Sequence, residues 1–358
     1  MTRVVVAMSG GVDSSVAAAL LVAEGLSVVG LTMRLYDSKH APTGRAGACC
    51  SPAEVDQAKQ VCAQLGIPHY TVDERERFES AVIDDFVRSY AAGRTPNPCV
   101  RCNEHVKFSP LLARARALGA DVLATGHYAR VVDGGLWRAA DETKDQSYFL
   151  FAMGLPALQH VRFPLGTWHK EQVRAKAREL GLGNADTPDS QELCFAGGRD
   201  HADVVEARAA ALGIDVEGLA PGPIVDASGL VVGQHAGVHR VTVGQRRGLR
   251  VAGTEPRYVL RVVPERREVV VGDAAALQVH ALVLEDFRRL APLPERGEVA
   301  AAVQIRHRSR PTDATVVIEG TRAVVRFATP VAAAAPGQAA VVYDGARVIG
   351  GGWIAEEA

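Results

Sequence analysis

The sequence predicts an α/β fold, a parallel sheet covered by helices in the N-terminal part, followed by small β-rich domains. Three observations carry this. Short β-rich runs alternate with helical patterns over the first 130 residues, a glycine-serine turn joins the first strand to the first helix, and beyond about Pro221 the chain is nearly all short strands. At 358 residues the chain has room for two or three domains. Its 47% hydrophobic and 23% charged residues are those of a globular protein, not of a disordered or fibrous one.

The elements come in order. Arg3 to Met8 reads as a strand, Ser14 to Glu24 as a helix closed by Gly25, and Ser27 to Met33 as a second strand. Ser51-Pro52-Ala53-Glu54 has a capping-box pattern with Pro at the first helical position, opening a helix that Gly66 ends. His69 to Val72 is the next strand. A helix through Phe86, a Pro-rich loop, a helix from Pro110 to Leu118 and a strand from Asp121 to Thr125 complete the alternation. Asp133-Gly134-Gly135 reads as a hairpin turn and Trp168 to Leu180 as an amphipathic helix ending at Gly181. Tyr258 to Val263, Val269 to Val271, Ala314 to Ile318 and Ala339 to Tyr343 then read as strands of one or two small β domains.

Charge and composition narrow the function. Forty Lys and Arg against 41 Asp and Glu leave a net charge of -1, so a nucleic-acid site must be local. The chain enters Val4-Val5-Val6 with no apolar signal core behind a basic start, and no run approaches the roughly twenty apolar residues that span a bilayer. A cytoplasmic location and no membrane role are expected. Six cysteines in such a chain suggest thiols, metal ligands or redox catalysis before structural disulfides.

Ser9-Gly10-Gly11-Val12-Asp13-Ser14-Ser15, between the first strand and the first helix, is placed where backbone N–H groups and the helix dipole favour an anion. Two adjacent glycines let the backbone approach phosphate, Asp13 can help hold magnesium on it, and Ser9, Ser14 and Ser15 supply hydroxyls. The loop has no lysine and lacks the Gly-Lys-Ser/Thr ending of a Walker loop, so γ-phosphate transfer is not indicated. The bland alternative is an ordinary strand-to-helix turn.

Thr95-Pro96-Asn97-Pro98-Cys99-Val100-Arg101-Cys102-Asn103 reads as a rigid Pro-framed loop carrying C-x-x-C, with Arg101 and Lys107 near enough to favour thiolate. Alone it is ambiguous between a redox pair, a zinc half-site and cluster ligands. Asp189-Ser190-Gln191-Glu192-Leu193-Cys194-Phe195 adds a single cysteine in a polar segment, whose bland alternative is a small buried hydrophobe. Cys49-Cys50 could complete a zinc site with Cys99 and Cys102, though adjacent cysteines do not easily ligate one ion. Cys62 falls in helical register with Val55, Ala58 and Leu65 and reads as core. Among the basic clusters, Arg246-Arg247 with Arg250 and Arg306-His307-Arg308-Ser309-Arg310 suit phosphate positioning, whereas Arg266-Arg267 reads as a solvated turn.

Ser-Gly-Gly-Val-Asp-Ser after the first strand resembles the signature of the PP-loop ATP pyrophosphatases. With Thr-Pro-Asn-Pro-x-x-x-Cys-Asn ending at Asn103, Ala-Thr-Gly-His-Tyr at 124 to 128, Lys144-Asp145-Gln146-Ser147-Tyr148, Cys194-Phe195, Gly244-Gln245-Arg246-Arg247-Gly248 and Pro336-Gly337-Gln338, the chain is similar to the tRNA-specific 2-thiouridylases of that superfamily along nearly its whole length. The resemblance implies ATP bound by Ala7, Met8, Ser9, Gly10, Gly11, Val12, Asp13 and Ser14 with Met33 and Gly126, and magnesium on its phosphates. It implies a persulfide on Cys194, delivered by a cysteine desulfurase or sulfur-relay protein, and Cys102 as the nucleophile that pairs with it in a transient disulfide. It also implies tRNA contacts at Asn97, Pro98, Cys99, His127, Lys144, Asp145, Gln146, Arg306, His307 and Gln338, with Lys, Glu and Gln acceptors as substrates.

Two positions depart from the family pattern. Many members have Asp at Cys99 and Tyr at His307. Cys99, Cys102 and Cys194 could alternatively ligate an iron-sulfur cluster, a route ranked second to the persulfide. The domains expected are a PP-loop catalytic domain over 1–200, a central β-rich tRNA-binding domain over 201–275 and a β-barrel-like domain over 276–358. A PP-loop metabolite ligase and a non-catalytic RNA-binding protein are the rival readings.

Overall fold

The computed structural model describes residues 2–36, 52–188, 193–215, 217–251 and 255–357. Cys49, Cys50, the Ser51 cap and the segment 189–192 lie outside the described residues. The chain divides into two compact units. One comprises 1–82, 99–198 and 346–349, the other 83–98, 199–345 and 350–358.

The first unit is built on a parallel sheet. Its elements are β1 (Arg3–Ala7), α1 (Val12–Ala23), β2 (Ser27–Arg34), α2 (Pro52–Gln64), β3 (His69–Asp73) and α3 (Arg75–Phe78), then, past the segment that belongs to the second unit, a helical run that leads into the fourth strand. The strand order is β3-β2-β1-β4-β7, with β4 at Val122–Thr125 and β7 at Val161–Arg162. Val5 of β1 pairs with Val29 on one side and Leu123 on the other, both parallel. Valines on both faces are buried because helices cover both faces, as a parallel sheet requires. The chain leaves β1 toward β2 and β3 and returns to β4 on β1's other edge. The crevice beyond the C-terminal ends of β1 and β4 is therefore the topological switch point, where such sheets bind ligands.

Helix α1 is buried from Ser14 to Ala19 and packs against α8 (Lys170–Glu179), and Val6, Val16, Leu21, Val61, Val173 and Ala177 share one core. Cys62 is part of that core, as its register predicts, and burial pushes its thiol up to about 11. Asp133-Gly134 makes the expected two-residue hairpin turn between β5 (Arg130–Val132) and β6 (Gly135–Trp137), both residues at positive φ as a type I′ turn needs. A 3-10 segment at Ser147–Met153 and a short α7 (Leu155–Leu158) lead to β7, a strand too short to show in the sequence pattern.

The structure corrects the expected Pro-rich loop. Pro98–Cys102 is helical (α5) and runs through a π-helical stretch, Asn103–Phe108, into α6 (Ser109–Ala117). Proline at the first helical position starts a helix rather than breaking one, and no glycine interrupts 98 to 117. The helix expected through Phe86 also carries a π turn, at Glu79–Ile83, before α4 (Asp84–Ala91).

In the second unit, α9 (His201–Ala209) lies inside the stretch expected to be β-rich. Asp200 caps it by accepting from Ala202 N at 2.9 Å, a contact worth about 1 kcal/mol, and α9 packs on α4, where Arg208 binds Asp84 at 2.9 Å. A four-stranded sheet in the order β10-β11-β8-β9 comes next, from β8 (Gly222–Val225), β9 (Val231–His235), β10 (Tyr258–Val263) and β11 (Glu268–Gly272). The strands β12 (Gln278–Arg289), β13 (Arg296–Gln304), β14 (Thr312–Glu319), β15 (Arg322–Ala332), β16 (Ala339–Asp344) and β17 (Arg347–Glu357) run in the order β12-β15-β14-β13-β16-β17, and β12 pairs again with β17. That second pairing closes an antiparallel barrel, the expected C-terminal fold, and leaves it no open edge. Among the described residues no helix is long and apolar enough to cross a membrane.

Candidate active site

The glycine-serine loop sits at the switch point because two backbones meet there. Gly10 adopts φ +82, and a side chain at that position would run into the Glu54 backbone of α2. Gly126, just past β4, approaches the loop so closely that a Cβ would stand 2.7 Å from Asp13 C and Ser14 N. Gly11 at the N-cap offers no side chain to the first turn of α1, while Asp13 puts an acid into that turn. The serines are spent partly on the loop itself. Ser14 Oγ and Ser15 Oγ each donate to Gly11 O at 3.0 Å, Ser14 Oγ also accepts from Ser9 N at 3.2 Å, and both residues are buried. Only Ser9 is part-exposed among the three hydroxyls expected to face phosphate.

Asp13 is the end of a chain of hydrogen bonds that runs through two of the quoted motifs, at Tyr128 and Gln146, and two residues outside them, Lys170 and Asp141. Lys170 Nζ donates to both of its oxygens at 2.8 Å, and Tyr128 Oη donates to Oδ1 at 2.8 Å. Tyr128 is fixed at its backbone by Gln146, whose Oε1 accepts from Tyr128 N and whose own N donates to Tyr128 O, each at 2.9 Å. The Lys170 backbone N–H in turn donates to Asp141 Oδ2 at 2.9 Å. Burial works against the Asp141 carboxylate, but hydrogen bonds from Thr143 and Lys170 outweigh it and hold its pKa below the usual value. On the far side, Asn184 Nδ2 donates to Gly10 O at 2.7 Å and Ser15 Oγ at 2.9 Å. Its buried Oδ1 finds no donor among the described residues. Sequence reasoning misses Lys170, Tyr128, Asp141 and Asn184 as site residues. The one available signal is the lysine heading a helix, where the macrodipole disfavours a cation.

Several residues expected to touch tRNA carry hydrogen bonds within the fold. Asp145 is buried and accepts from Ala139 N at 3.0 Å, Ser147 N at 3.2 Å and Ser147 Oγ at 2.8 Å. Gln146 holds Tyr128, as above, and Lys144 is half-buried beside them. Gln338 Nε2 donates to Thr95 O and Pro96 O at 3.1 and 3.0 Å, and Thr95 N donates to Pro336 O at 2.7 Å, so Pro336-Gly337-Gln338 clasps the segment ending in Asn97 and Pro98. Asn97 is itself buried. Arg306 and His307 are exposed, on a turn pinned by Gln304 Nε2 to both of their carbonyls, and Arg246, Arg247 and Arg250 are exposed as well. Arg266 pairs with Glu268 at 2.8 Å, a solvated ion pair as expected. Met33 is a buried residue of β2.

His127 Nδ1 lies 2.7 Å from Thr125 Oγ1, and its ring is set between Phe108 and Phe163. Desolvation, assisted by the Lys107 cation, lowers its pKa to about 3, so the imidazole is neutral. The unfolded chain takes up a proton near pH 6.5 that the folded one refuses, so stability falls as pH drops from about 6.5 toward 3. His127→Gln is expected to flatten the fall of thermal midpoint between pH 6.5 and 5. A slope unchanged by the substitution would assign the acid sensitivity to other groups.

Among the cysteines, Cys99 is exposed, Cys102 one turn later is buried and Cys194 is half-buried. Arg101 pairs with Glu104 at 3.3 Å, so its charge is shared and not reserved for a thiolate. The Phe195 ring meets Phe78 of α3 at 6.1 Å, and α3 packs against the π-helical stretch that begins after Cys102. Both cysteine segments are thus gathered around one short helix. Among the described residues no three His, Cys, Asp or Glu side chains converge to hold a metal. Magnesium fits differently, since that ion is held by one or two carboxylates with substrate phosphates, and Asp13 is such a carboxylate.

A glycine-serine loop at the switch point of a 3-2-1-4-7 parallel sheet, closed over by a second glycine and braced by acid, tyrosine and lysine, defines an α/β protein of the PP-loop class. Residues 2–198 match the family model described as tRNA methyl transferase HUP domain, residues 215–273 its PRC-barrel domain and residues 279–354 the aminomethyltransferase beta-barrel domain. The chain is 49% identical over 369 residues to the tRNA-specific 2-thiouridylase MnmA of Rhodospirillum centenum, covering 99% of this chain and 91% of that one. It is 49% identical over 361 residues to that of Geobacter metallireducens, covering 98% and 96%. A 4-thiouridine synthetase solved with RNA and ATP is a distant structural likeness, at 16% identity, 57% and 49% coverage and a TM-score of 0.36, too remote to bear on function. The chain belongs to the tRNA-specific 2-thiouridylase family.

Proposed function

We propose that this protein replaces the C2 oxygen of the wobble uridine of tRNA with sulfur at the expense of ATP. Family membership supports the activity, and the gathering of the Cys102 and Cys194 segments around α3 is the observation that carries the chemistry. A uracil C2 carbonyl is a poor electrophile, so its oxygen must first become a leaving group. Attack of that oxygen on the α-phosphorus of ATP forms the adenylated base and expels pyrophosphate, and AMP departs when sulfur adds at C2. Magnesium held by Asp13 would neutralise phosphate charge.

Cys194 carries the sulfane sulfur in this reading. The Cys102 thiolate attacks Cys194 Sγ, forming the Cys102–Cys194 disulfide and breaking the S–S bond of the persulfide, and hydrosulfide leaves to attack C2. An external dithiol returns the two electrons and resets both thiols. Cys99 does not enter these steps. Its exposure at the start of α5 suits a place beside the incoming base.

The exposed arginines at 246, 247, 250 and 306, with His307, supply spaced cations for phosphate positioning. Lys, Glu and Gln tRNAs as acceptors, a cysteine desulfurase or sulfur-relay protein as donor, and a cytoplasmic setting complete the proposal. Thiolation, rather than the methyl transfer named in the domain descriptions, gives both cysteines a task. Nucleoside analysis of these three tRNAs from cells lacking the protein is expected to show loss of 2-thiouridine. An undiminished level would overturn the proposal.

A further inference from the structure

The sulfur transfer proposed above uses Cys102 and Cys194 and leaves Cys99 idle, yet each cycle ends on a disulfide that must be reopened. Access decides how. A reducing thiolate has to reach one of the two bridged sulfurs, and Cys194 is half-buried while Cys102 keeps only 7% of its surface exposed. An external dithiol meets covered sulfur on both sides of that bond.

Cys99 has the access that they lack. It is exposed, and it stands one turn before Cys102 in a helical run that continues without a break from Pro98 to Ala117. Residues three apart in a helix have Cα atoms about 5 Å apart, inside the span of about 4.4–6.8 Å that a disulfide bridges. Their side chains lie on one face, with Cβ atoms about 5–6 Å apart where a disulfide wants about 3.5–4.5 Å, so the first turn has only to tighten. C-x-x-C in the first turn of a helical run is also the arrangement of dithiol oxidoreductases, whose backbone N–H groups favour a negatively charged sulfur. A thiol held this close attacks at an effective concentration that no free thiol reaches.

We propose that Cys99 is the resolving thiol of the cycle, which opens the Cys102–Cys194 disulfide and presents the oxidised pair to solvent. The Cys99 thiolate attacks Cys102 Sγ, the Cys99–Cys102 bond forms and the Cys102–Cys194 bond breaks. The electron pair goes to Cys194 Sγ, which takes up the proton that Cys99 gave up and is ready for its next sulfane sulfur. This exchange neither gains nor loses electrons. Two electrons enter afterwards, when an external dithiol reduces the Cys99–Cys102 disulfide and is itself oxidised to a disulfide. Sulfur donor and reductant are thereby kept apart, the first meeting Cys194 and the second Cys99. The assignment rests on the reading that sulfur transfer ends in a Cys102–Cys194 disulfide.

The test begins with full-length protein loaded by a cysteine desulfurase and cysteine, desalted, and given one equivalent of tRNA with ATP and no reductant. Alkylation and mass spectrometry then map the disulfides. The unaltered protein is expected to hold most of its disulfide as Cys99–Cys102, with Cys194 alkylated, whereas Cys99→Ser is expected to hold Cys102–Cys194. Rates are compared as a ratio, multiple-turnover thiolation at limiting dithiothreitol over single-turnover thiolation, so that any effect of position 99 on the incoming base cancels. That ratio is expected to fall about tenfold or more in Cys99→Ser, the cost of exchanging a neighbouring thiol for a free one at a covered sulfur. A disulfide found only between Cys102 and Cys194 in the unaltered protein, or a parent-like ratio in Cys99→Ser, would overturn the proposal. Iron and sulfide retained by anaerobically purified protein and lost in Cys99→Ser would assign Cys99 to a cluster and overturn it as well. If single turnover leaves no disulfide at all, the sulfur-transfer reading fails and the reset with it, an outcome distinct from failure of Cys99 alone.

Discussion

Serine in place of Cys194 is expected to lower tRNA thiolation by at least about 10³-fold while leaving single-turnover, tRNA-dependent pyrophosphate release within about twofold of the parent. The split arises from the division of labour proposed for the site. Adenylation is the work of the loop around Asp13, whereas an alcohol oxygen at position 194 cannot store a sulfane sulfur. Cys102→Ser is expected to lose thiolation as completely but for another reason, with the persulfide accumulating on Cys194 because nothing attacks it. Mass spectrometry of the protein after treatment with a desulfurase and cysteine separates the two. Cys62 is the internal control, since its buried thiol, pushed up to about 11, stays protonated and should collect no sulfur. Full thiolation by either serine variant would move the chemistry elsewhere and favour the reading as a PP-loop ligase.

The second large effect is expected from one methyl group. Gly126→Ala puts a Cβ within 2.7 Å of backbone atoms of Asp13 and Ser14, and backbone cannot step aside as a flexible side chain can. The β4 turn or the start of α1 must shift, taking the Asp13–Tyr128–Lys170 arrangement with it. Displacements of about 1 Å at a reacting centre cost about 10²-fold, and overpacking costs about 1–3 kcal/mol in stability. The prediction is a loss of about 10²-fold in kcat/KM for ATP, with a thermal midpoint that falls only modestly. Gly134→Ala, at an open turn with nothing within 4 Å of its Cβ, is the matched comparison for stability alone. Equal losses of activity in the two variants would show that close approach at 126 is not what matters.

What the sequence disclosed and what it concealed divide along the distance over which each signal acts. Strand, turn and helix around residues 3 to 24 are legible because valine runs, paired glycines and a closing Gly25 are local signals. The Asp133-Gly134 hairpin is legible for the same reason. The helical start at Pro98 reads as a loop because proline and asparagine usually punctuate loops, and the helix-initiating use of proline depends on the residues C-terminal to it. Helix α9 escapes notice inside a segment otherwise full of strand signals, although Asp200 is an ordinary cap. Lys170 and Asn184 lie beyond reach altogether. A lysine on an amphipathic helix reads as solvated surface, and an asparagine between Gly183 and Ala185 reads as a turn residue, until tertiary structure brings them to the loop. Asp145, Gln146 and Gln338 are motif residues whose internal hydrogen bonds were equally hidden, because their partners lie in other segments.

The braces on the nucleotide loop also impose an order on biosynthesis. The loop's partners are separated from it by 115 residues at Tyr128, 157 at Lys170 and 174 at Asn184. A nascent chain that has emerged only as far as β2 carries the whole glycine-serine motif and none of the groups that shape it. At roughly 5–20 residues per second, the ribosome needs on the order of ten seconds or more before Asn184 can arrive. Until β4 emerges, β1 exposes the edge on which β4 will pair, an apolar edge that invites the wrong strand. Truncations ending before residue 184 should therefore fail as nucleotide binders even when they contain every residue of the motif.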